Sequence, residues 1–199
     1  MKIRKKIVVS LASVSMFLVV PYVSYAATDT NNTTITATIA SVISVSSSGA
    51  VAIGITPTGS GAASSASDTV TVSTNNSAGY NLVLKDSDTT LTLTNGSNTI
   101  ANHAGTFASP STLANNSWGY RVDGAGTFGA GPTSAQTNQA NLSGTWAGIK
   151  SSSVAGDTIK TTATTASGDT TTVWYGVKAD TTKPNGSYTN TVVYTATTN

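Results

Sequence analysis

The sequence predicts an all-β protein folded as an antiparallel β-sandwich, and three observations support this fold class. Apolar and polar residues alternate with a period of two along most of the chain after residue 26. Threonine, serine, asparagine and glycine dominate that part, and they disfavour helices. Turn residues separate the alternating runs at short intervals, which is typical of two antiparallel sheets packed face to face.

The first 26 residues have the pattern of a signal peptide. A basic stretch precedes a largely apolar run of 14 residues at positions 7–20, and Pro21 follows it. Ser24 and Ala26 put small residues at the two positions that a signal peptidase reads, so we expect cleavage after Ala26. A retained anchor is the alternative, but the apolar run is shorter than the roughly 20 residues of a spanning helix. The expected location is therefore secreted, extracellular or at the cell surface, with membrane contact only through the signal peptide during export.

Charge and cysteine content limit the partners of residues 27–199. This part carries six Lys or Arg and eight Asp, a formal net charge of −2. Since no basic patch remains to bind phosphates, we expect no nucleic-acid partner. The sequence has no cysteine, so disulfides cannot contribute to its stability. We predict a single domain over residues 27–199, held together by packing and sheet hydrogen bonds.

The first alternating run covers residues 35–45. It places Ile35, Ile39, Ile43 and Val45 on one face of a long strand. We expect this strand to pair within its own domain. The alternative is an edge strand or a donor strand that a neighbouring copy accepts into its sheet.

Further alternating runs predict the inner strands. Residues 51–55 form a second run, and a stretch of Gly, Ala and Ser up to Ser67 then predicts a break. Later strands are predicted around alternating apolar residues: Val70 and Val72; Tyr80, Leu82 and Leu84; and Trp118, Tyr120 and Val122. The sequence Asn95-Gly96 predicts a hairpin over residues 91–100 whose two turn residues both have positive φ.

The carboxyl-terminal third contains a long loop and two more strands. Residues 123–157 are rich in Gly, Ser and Ala and predict a decorated loop with a few apolar anchors. Strands are then expected over residues 173–179 and 188–197, paired with each other. The approach to the last strand, Asn185-Gly186-Ser187-Tyr188, is similar to the turn before a tyrosine corner, which indicates an immunoglobulin-like arrangement.

Four segments carry a family resemblance, and they lie at residues 39–45, 69–82, 118–122 and 184–196. The chain resembles uncharacterised exported β-sandwich surface proteins of small-genome bacteria. It is more loosely similar to WxL-type surface domains and to the pilin-like spore coat protein U family. These resemblances imply binding or assembly at a cell surface, without an active site to transfer. None of the three tryptophans is followed by leucine two positions on, so the WxL motif itself is absent from the sequence.

Titratable groups are scarce, and we predict no catalytic residue, no metal ligand and no cofactor. The sequence has one histidine and no cysteine or glutamate. His103 lies in a turn-like setting, where a solvated histidine is expected rather than a general base. Asp86 and Asp88 could offer oxygens to calcium, but a polar turn between strands is the preferred interpretation.

The aromatic residues offer either a core or a sugar-binding surface. Tyr80, Trp118, Tyr120 and Tyr175 share faces with aliphatic residues and are expected in the core. Trp146 lies in the Gly-rich loop and is the candidate for an exposed ligand contact.

The expected function is that of a secreted or cell-surface structural and interaction protein, a subunit of a surface layer or filament. Its expected partners are further copies of itself, cell-envelope components or glycans. A carbohydrate or cell-wall binding module that uses Trp146 is the alternative, and a secreted hydrolase is the third hypothesis.

Overall fold

A computed structural model describes residues 26–199. The predicted signal peptide lies outside the described residues apart from Ala26. Residues 26–38 are exposed throughout and contain no strand, and residues 39–199 form a compact unit of their own. Strands without any helix make up the regular structure of the described residues, so the all-β prediction is confirmed.

Two sheets form the sandwich. The strands are β1 Ile43–Ser46, β2 Ala62–Thr74, β3 Tyr80–Asp86, β4 Leu93–Asn95, β5 Asn98–Asn102, β6 Ser117–Val122, β7 Asp157–Thr161, β8 Ala166–Ala179 and β9 Val192–Thr198. The larger sheet has the order β1-β2-β8-β6-β5-β4, and the smaller sheet has the order β7-β3-β9. Paired strands are antiparallel except β5 and β6, which run in parallel.

The main core lies between the inner faces of the two sheets. On β3 every second residue is buried, and Leu82 and Leu84 are fully enclosed. The larger sheet contributes Val70, Val72 and Val173 to the same cluster. Burying a side chain of this size stabilises the folded state by roughly 1.5–3 kcal/mol. The alternation in the sequence therefore identified the inward-facing residues of these strands correctly.

Strand β2 begins at Ala62, where the sequence predicted a break. Ala62 pairs with Ala179 of β8, and Ala63 also exchanges two backbone hydrogen bonds with Gln139, at 2.7 and 2.8 Å. Gln139 belongs to the loop, so the loop pairs with β2 on the side that β8 leaves free at this point. Pairing on both sides thus maintains a strand whose own residues give no apolar alternation.

The predicted pairing of the last two long strands is wrong. Strand β8 pairs with β2 and β6, whereas β9 pairs with β3 in the other sheet. The segment between Ala179 and Val192 therefore crosses from one sheet to the other. An inward-facing row on each strand fits either arrangement, since it packs across the core as well as along a shared sheet.

The predicted hairpin forms, with a turn shifted by one residue. Asn95 pairs with Asn98, which leaves Gly96 and Ser97 as the two turn residues. Gly96 has a φ of 59°, and Asn95 and Ser97 do not have positive φ. A turn with positive φ only at its first residue, where glycine adopts it without strain, also suits the twist of a hairpin.

The predicted long loop is confirmed, and it covers the outer face of the larger sheet. No strand lies between Val122 and Asp157 among the described residues. Leu142 and Trp146 of the loop are buried against Trp174 of β8 and form a second apolar cluster. Trp174 points outward because Val173 and Tyr175 face the main core. The loop therefore covers this outer face of the sheet in place of a further layer of helices or strands.

Arg121 supports the loop from inside. Its guanidinium donates to the carbonyl of Gly129 at 2.9 Å and lies 5.8 Å from the ring centre of Phe128. The residue is 1% exposed, and burial lowers the pKa of the guanidinium. A Cβ atom at Gly144 would overlap this guanidinium, and the φ of 76° at Gly144 also favours glycine. The loop conformation therefore depends on this close approach.

The turn before β9 has the hydrogen bond of a tyrosine corner. The Tyr188 hydroxyl donates to the carbonyl oxygen of Pro184 at 2.8 Å, four residues upstream. This bond agrees with the prediction made from the residues of that turn. It fixes the path of the chain as it approaches the smaller sheet.

Candidate interaction site

An amino-terminal arm, residues 27–39, carries two apolar side chains that the fold does not bury. Ile35 is 90% exposed and Ile39 is 85% exposed, although threonines alternate with the apolar positions as in a strand. Exposed isoleucines on one face of an alternating run are typical of a strand that is not yet paired with a sheet. The expectation that the whole run pairs within its own domain is therefore wrong for Ile35 and Ile39.

The same run does pair at its other end. Ile43 and Val45 lie in β1, which forms an edge of the larger sheet and pairs with the last residues of β2. Pairing stops at Ile43 because its partner, Thr74, is the last residue of β2. Beyond it, the Asn75 side chain accepts from the Val42 amide at 2.8 Å and donates to the Ala40 carbonyl at 2.9 Å. Asn75 thus holds the chain at the point where the arm leaves the sheet.

After β1 the chain enters the space between the sheet edges as an inserted segment, residues 51–55. The side chains of Val51, Ile53 and Ile55 are half-buried and pack against the main core, while the two residues between them are exposed. The prediction of a second strand is wrong for this segment. Its alternation is that of a strand, but within the described part of the chain its backbone makes no hydrogen bond.

Side chains hold the inserted segment only near its two ends. The amide and hydroxyl of Ser48 both donate to the Asp68 carboxylate, at 2.9 and 2.7 Å. At the other end the Thr56 amide donates to the side-chain oxygen of Asn138 at 2.7 Å. Between these two anchors, apolar contact with the core is the interaction that keeps the segment in place.

The inserted segment covers an apolar groove without filling it. A cavity of about 860 Å³ lies along the segment. The apolar wall of the groove includes Ile100, Trp118, Val177, Ala179, Val192 and Tyr194. Asp68 and Lys183 are the charged residues of its lining. A groove of this composition suits an uncharged, extended segment with alternating apolar side chains.

Strand β9 forms an edge of the smaller sheet beside this groove, and β1 of the larger sheet lies close to β9 without pairing with it. Strand β9 pairs with β3 along all of its seven residues and has no paired strand on its other side within the described chain. Val192 and Tyr194 line the groove, while Val193 points outward and is 37% exposed. An open edge offers a row of backbone donors and acceptors to an added strand.

Two tyrosines of the groove lining contact each other. The hydroxyls of Tyr175 and Tyr194 lie 2.7 Å apart. Burial raises the pKa of both phenols, and the negative charge of Asp68 raises both further. Both side chains therefore stay neutral over the ordinary pH range, which keeps the groove free of additional charge.

Trp146 is fully buried, so the expectation of an exposed contact residue is wrong. Its exposed fraction is 0%, and it packs with Leu142 and Trp174 on the outer face of the larger sheet. No aromatic residue among positions 26–199 is in the exposed class. This burial could not be predicted from the sequence, because a Gly-rich loop has no periodicity that indicates the direction of a side chain.

His103 is buried, not solvated as expected, and it lies beside a serine. Its Nε2 is 3.0 Å from the hydroxyl oxygen of Ser111, and its Nδ1 accepts from the Ala114 amide at 3.4 Å. The contact with the Ala114 amide requires Nδ1 without a proton, and in that tautomer Nε2 carries the proton and donates to Ser111. A general base for Ser111 needs the opposite arrangement. The pair therefore orders the turn after β5 in this state.

The acidic turn after β3 is organised by its own backbone. The Asp86 carboxylate accepts from the Asp88 amide at 3.1 Å and from the Asn190 side chain at 2.7 Å. Asp86 is fully buried, and burial raises its pKa. This geometry fits the predicted polar turn. Among the described residues, no group of three or more His, Cys, Asp or Glu residues is placed to hold a metal ion.

Comparisons with protein-family models, with curated proteins and with solved structures found no match to this chain. The part of the chain that the structure describes holds no apolar helix of membrane-spanning length.

Proposed function

We propose that this chain is a secreted or surface-displayed structural protein whose copies associate through the amino-terminal arm. The observation that carries the proposal is the exposure of Ile35 and Ile39 in a run with the alternation of a strand. Moving each isoleucine side chain from water into an apolar site is favourable by a free energy of roughly 1.5–3 kcal/mol. A neighbouring sheet edge is the kind of partner that supplies such a site and satisfies the backbone of the arm as well.

The composition of the arm supports this role. Asp29 is its one charged residue, so little charge opposes burial of the arm. Its threonines fit a pleated surface and favour an extended conformation. The signal-peptide pattern in the sequence supports export, and export places the arm where it meets further copies or other envelope components.

The binder and enzyme hypotheses have less support. The candidate sugar contact, Trp146, is enclosed, and the described residues offer no exposed aromatic ring for stacking. In the tautomer that accepts from the Ala114 amide, the His103 ring donates to Ser111, whereas activation of the serine needs the ring to accept its proton. Association through the arm is therefore the function that the described residues support best.

The test is the oligomeric state of the processed chain, residues 27–199, measured by light scattering over a range of concentrations. We expect mass to increase with concentration, and we expect the double variant Ile35→Thr and Ile39→Thr to stay monomeric. Threonine keeps the branched shape but adds a hydroxyl that is costly to bury. The matched control changes the opposite face, Thr36→Ser and Thr38→Ser, and should associate like the unmodified chain. A monomer at every concentration would contradict the proposal.

A further inference from the structure

The inserted segment, which now lies in the groove, and the arm share the same pattern of alternating apolar residues. Val51, Ile53 and Ile55 present apolar side chains at every second position, and the arm presents Ile35, Ala37 and Ile39 with the same spacing. The three residues in the groove are half-buried, whereas the two isoleucines of the arm are almost fully exposed. We propose that the groove is the acceptor site for the arm of a second copy, which displaces the inserted segment and adds to the edge of β9.

Few interactions hold the inserted segment in the groove. Its backbone makes no hydrogen bond within the described chain between Val51 and Ile55. An arriving strand that pairs with β9 gains the backbone bonds that the inserted segment lacks. The cavity of about 860 Å³ also shows that the present side chains do not fill the groove. The arm has isoleucine at two of its three apolar positions, as the inserted segment does, so both segments present β-branched side chains to this wall.

The position of the arm favours exchange between copies. Asn75 holds Ala40 and Val42 beyond the Thr74 end of β2. On this strand the groove begins at Asp68 and extends toward the other end of β2, because its residues Val177 and Ala179 pair with Ser64 and Ala62. The stretch of β2 from Asp68 to Thr74 spans roughly 20 Å along the strand. The chain therefore joins the sheet at the Thr74 end of β2, and the groove extends from Asp68 in the opposite direction along that strand.

This inference rests on the proposed function and adds that the arm of a second copy competes with the inserted segment for the groove. If the arm and the inserted segment share one groove, weakening the segment must strengthen association, since the apparent affinity scales with the fraction of open grooves. The variant Ile53→Thr removes an apolar contact inside the groove, and Val154→Thr is the matched control at an exposed position outside the groove lining. We expect Ile53→Thr to lower the concentration for half-association by roughly three- to tenfold. The control should leave that concentration unchanged.

A second variant acts on an anchor and leaves the core intact. Ser48→Ala removes the hydroxyl that donates to Asp68 at 2.7 Å, and Ser48 is exposed. We expect a shift in the same direction as for Ile53→Thr, with a melting transition that stays cooperative by circular dichroism. Should Ile53→Thr prevent folding, Ser48→Ala still gives the result.

Cysteine crosslinking locates the contact, since the chain has no cysteine of its own. Thr36→Cys chains mixed with tagged Asn185→Cys chains should form a mixed disulfide, because Asn185 lies on the rim of the groove. The control partner is Thr164→Cys, exposed between β7 and β8, and it should form none above background. Equal crosslinking to both positions would overturn the assignment of the groove.

The outcomes separate the two proposals. If the unmodified chain associates and the folded Ile53→Thr and Ser48→Ala variants do so at the same concentration, the groove is not the acceptor, while the proposed function stands. If neither the unmodified chain nor these variants associate, both proposals are overturned. Association of the variants at lower concentration supports both.

Discussion

The hydroxyl of Tyr175 on β8 and the hydroxyl of Tyr194 on β9 lie 2.7 Å apart, and this contact joins the two sheets. No ladder links the two strands, because each belongs to a different sheet. The pair therefore forms a polar bridge inside an apolar interface, and both tyrosines line the groove. Its phenols must be satisfied by each other or by nearby polar groups, which makes the bridge sensitive to loss of one partner.

Removing one hydroxyl of this bridge should destabilise the fold. We expect Tyr175→Phe or Tyr194→Phe to lower the free energy of unfolding by about 1–2 kcal/mol, since the remaining phenol loses its partner. The double variant should cost less than the sum of the two single variants. Urea unfolding of the four proteins measures this cycle. Strict additivity would contradict a direct bond between the two hydroxyls.

Stability should decline at alkaline pH. The pKa values of Tyr80, Tyr120, Tyr175 and Tyr194 are all raised, chiefly by burial. The folded state therefore holds these protons more tightly than the unfolded chain does. Their contribution is complete below the ordinary tyrosine pKa of about 10 and is lost as pH rises above it toward the folded values.

Denaturant midpoints measured between pH 8 and pH 11 test this expectation. The midpoint should be level at first and then fall above about pH 10. Tyr120→Phe is the informative variant, because Tyr120 donates to Asp157 at 2.6 Å in a buried site. That variant should show a shallower alkaline decline, and an identical slope would argue against a raised pKa at Tyr120.

Truncation of Trp146 should act on stability and leave surface binding unaffected. We expect Trp146→Ala to cost about 3–5 kcal/mol, the usual range for removing a large buried aromatic side chain. Thermal unfolding gives the magnitude. Retention on purified cell wall, compared with the unmodified chain under conditions where both are folded, should be equal. Loss of retention by a folded variant would restore Trp146 as a contact residue.

The acid side of the stability profile should depend on His103. Burial lowers the pKa of this histidine, so the unfolded chain binds its proton more readily than the folded chain does. The stability it contributes is present above the unfolded pKa of about 6.5 and is lost as pH falls from there through the folded pKa. Protonation also removes the acceptor that Nδ1 offers to the Ala114 amide.

Comparison with His103→Gln isolates this effect from the titration of the carboxylates. Glutamine cannot titrate, so the variant should show a flatter dependence of the unfolding free energy between pH 7 and pH 5. Parallel profiles for the two proteins would show that His103 titrates alike in both states.

Strands with strong alternation could be predicted from the sequence, because each has one face in the core. The apolar residues of β3, of β6 and of residues 173–179 in β8 fall on the predicted faces. The start of β2 could not be predicted, since Ala62 and Ala63 are kept in a strand by contacts with Ala179 and Gln139, which are distant in sequence.

The site was predictable only in part. The alternation identified Ile35 and Ile39 as strand-forming residues, but their exposure depends on where β2 ends, and that is a tertiary property. The groove could not be foreseen, because residues from several separate strands and the loop before β9 build it. Periodicity also gave Val51–Ile55 as an ordinary strand, although no neighbouring backbone in the described chain bonds to it.

Hydrogen exchange of the processed chain, followed by mass spectrometry at low and high protein concentration, tests arm exchange most directly. At high concentration the amides of residues 33–39 should gain protection together with those of β9, and the amides of residues 51–55 should lose what protection they have. Exchange of the arm at the rate of an unstructured peptide at every concentration would contradict the account.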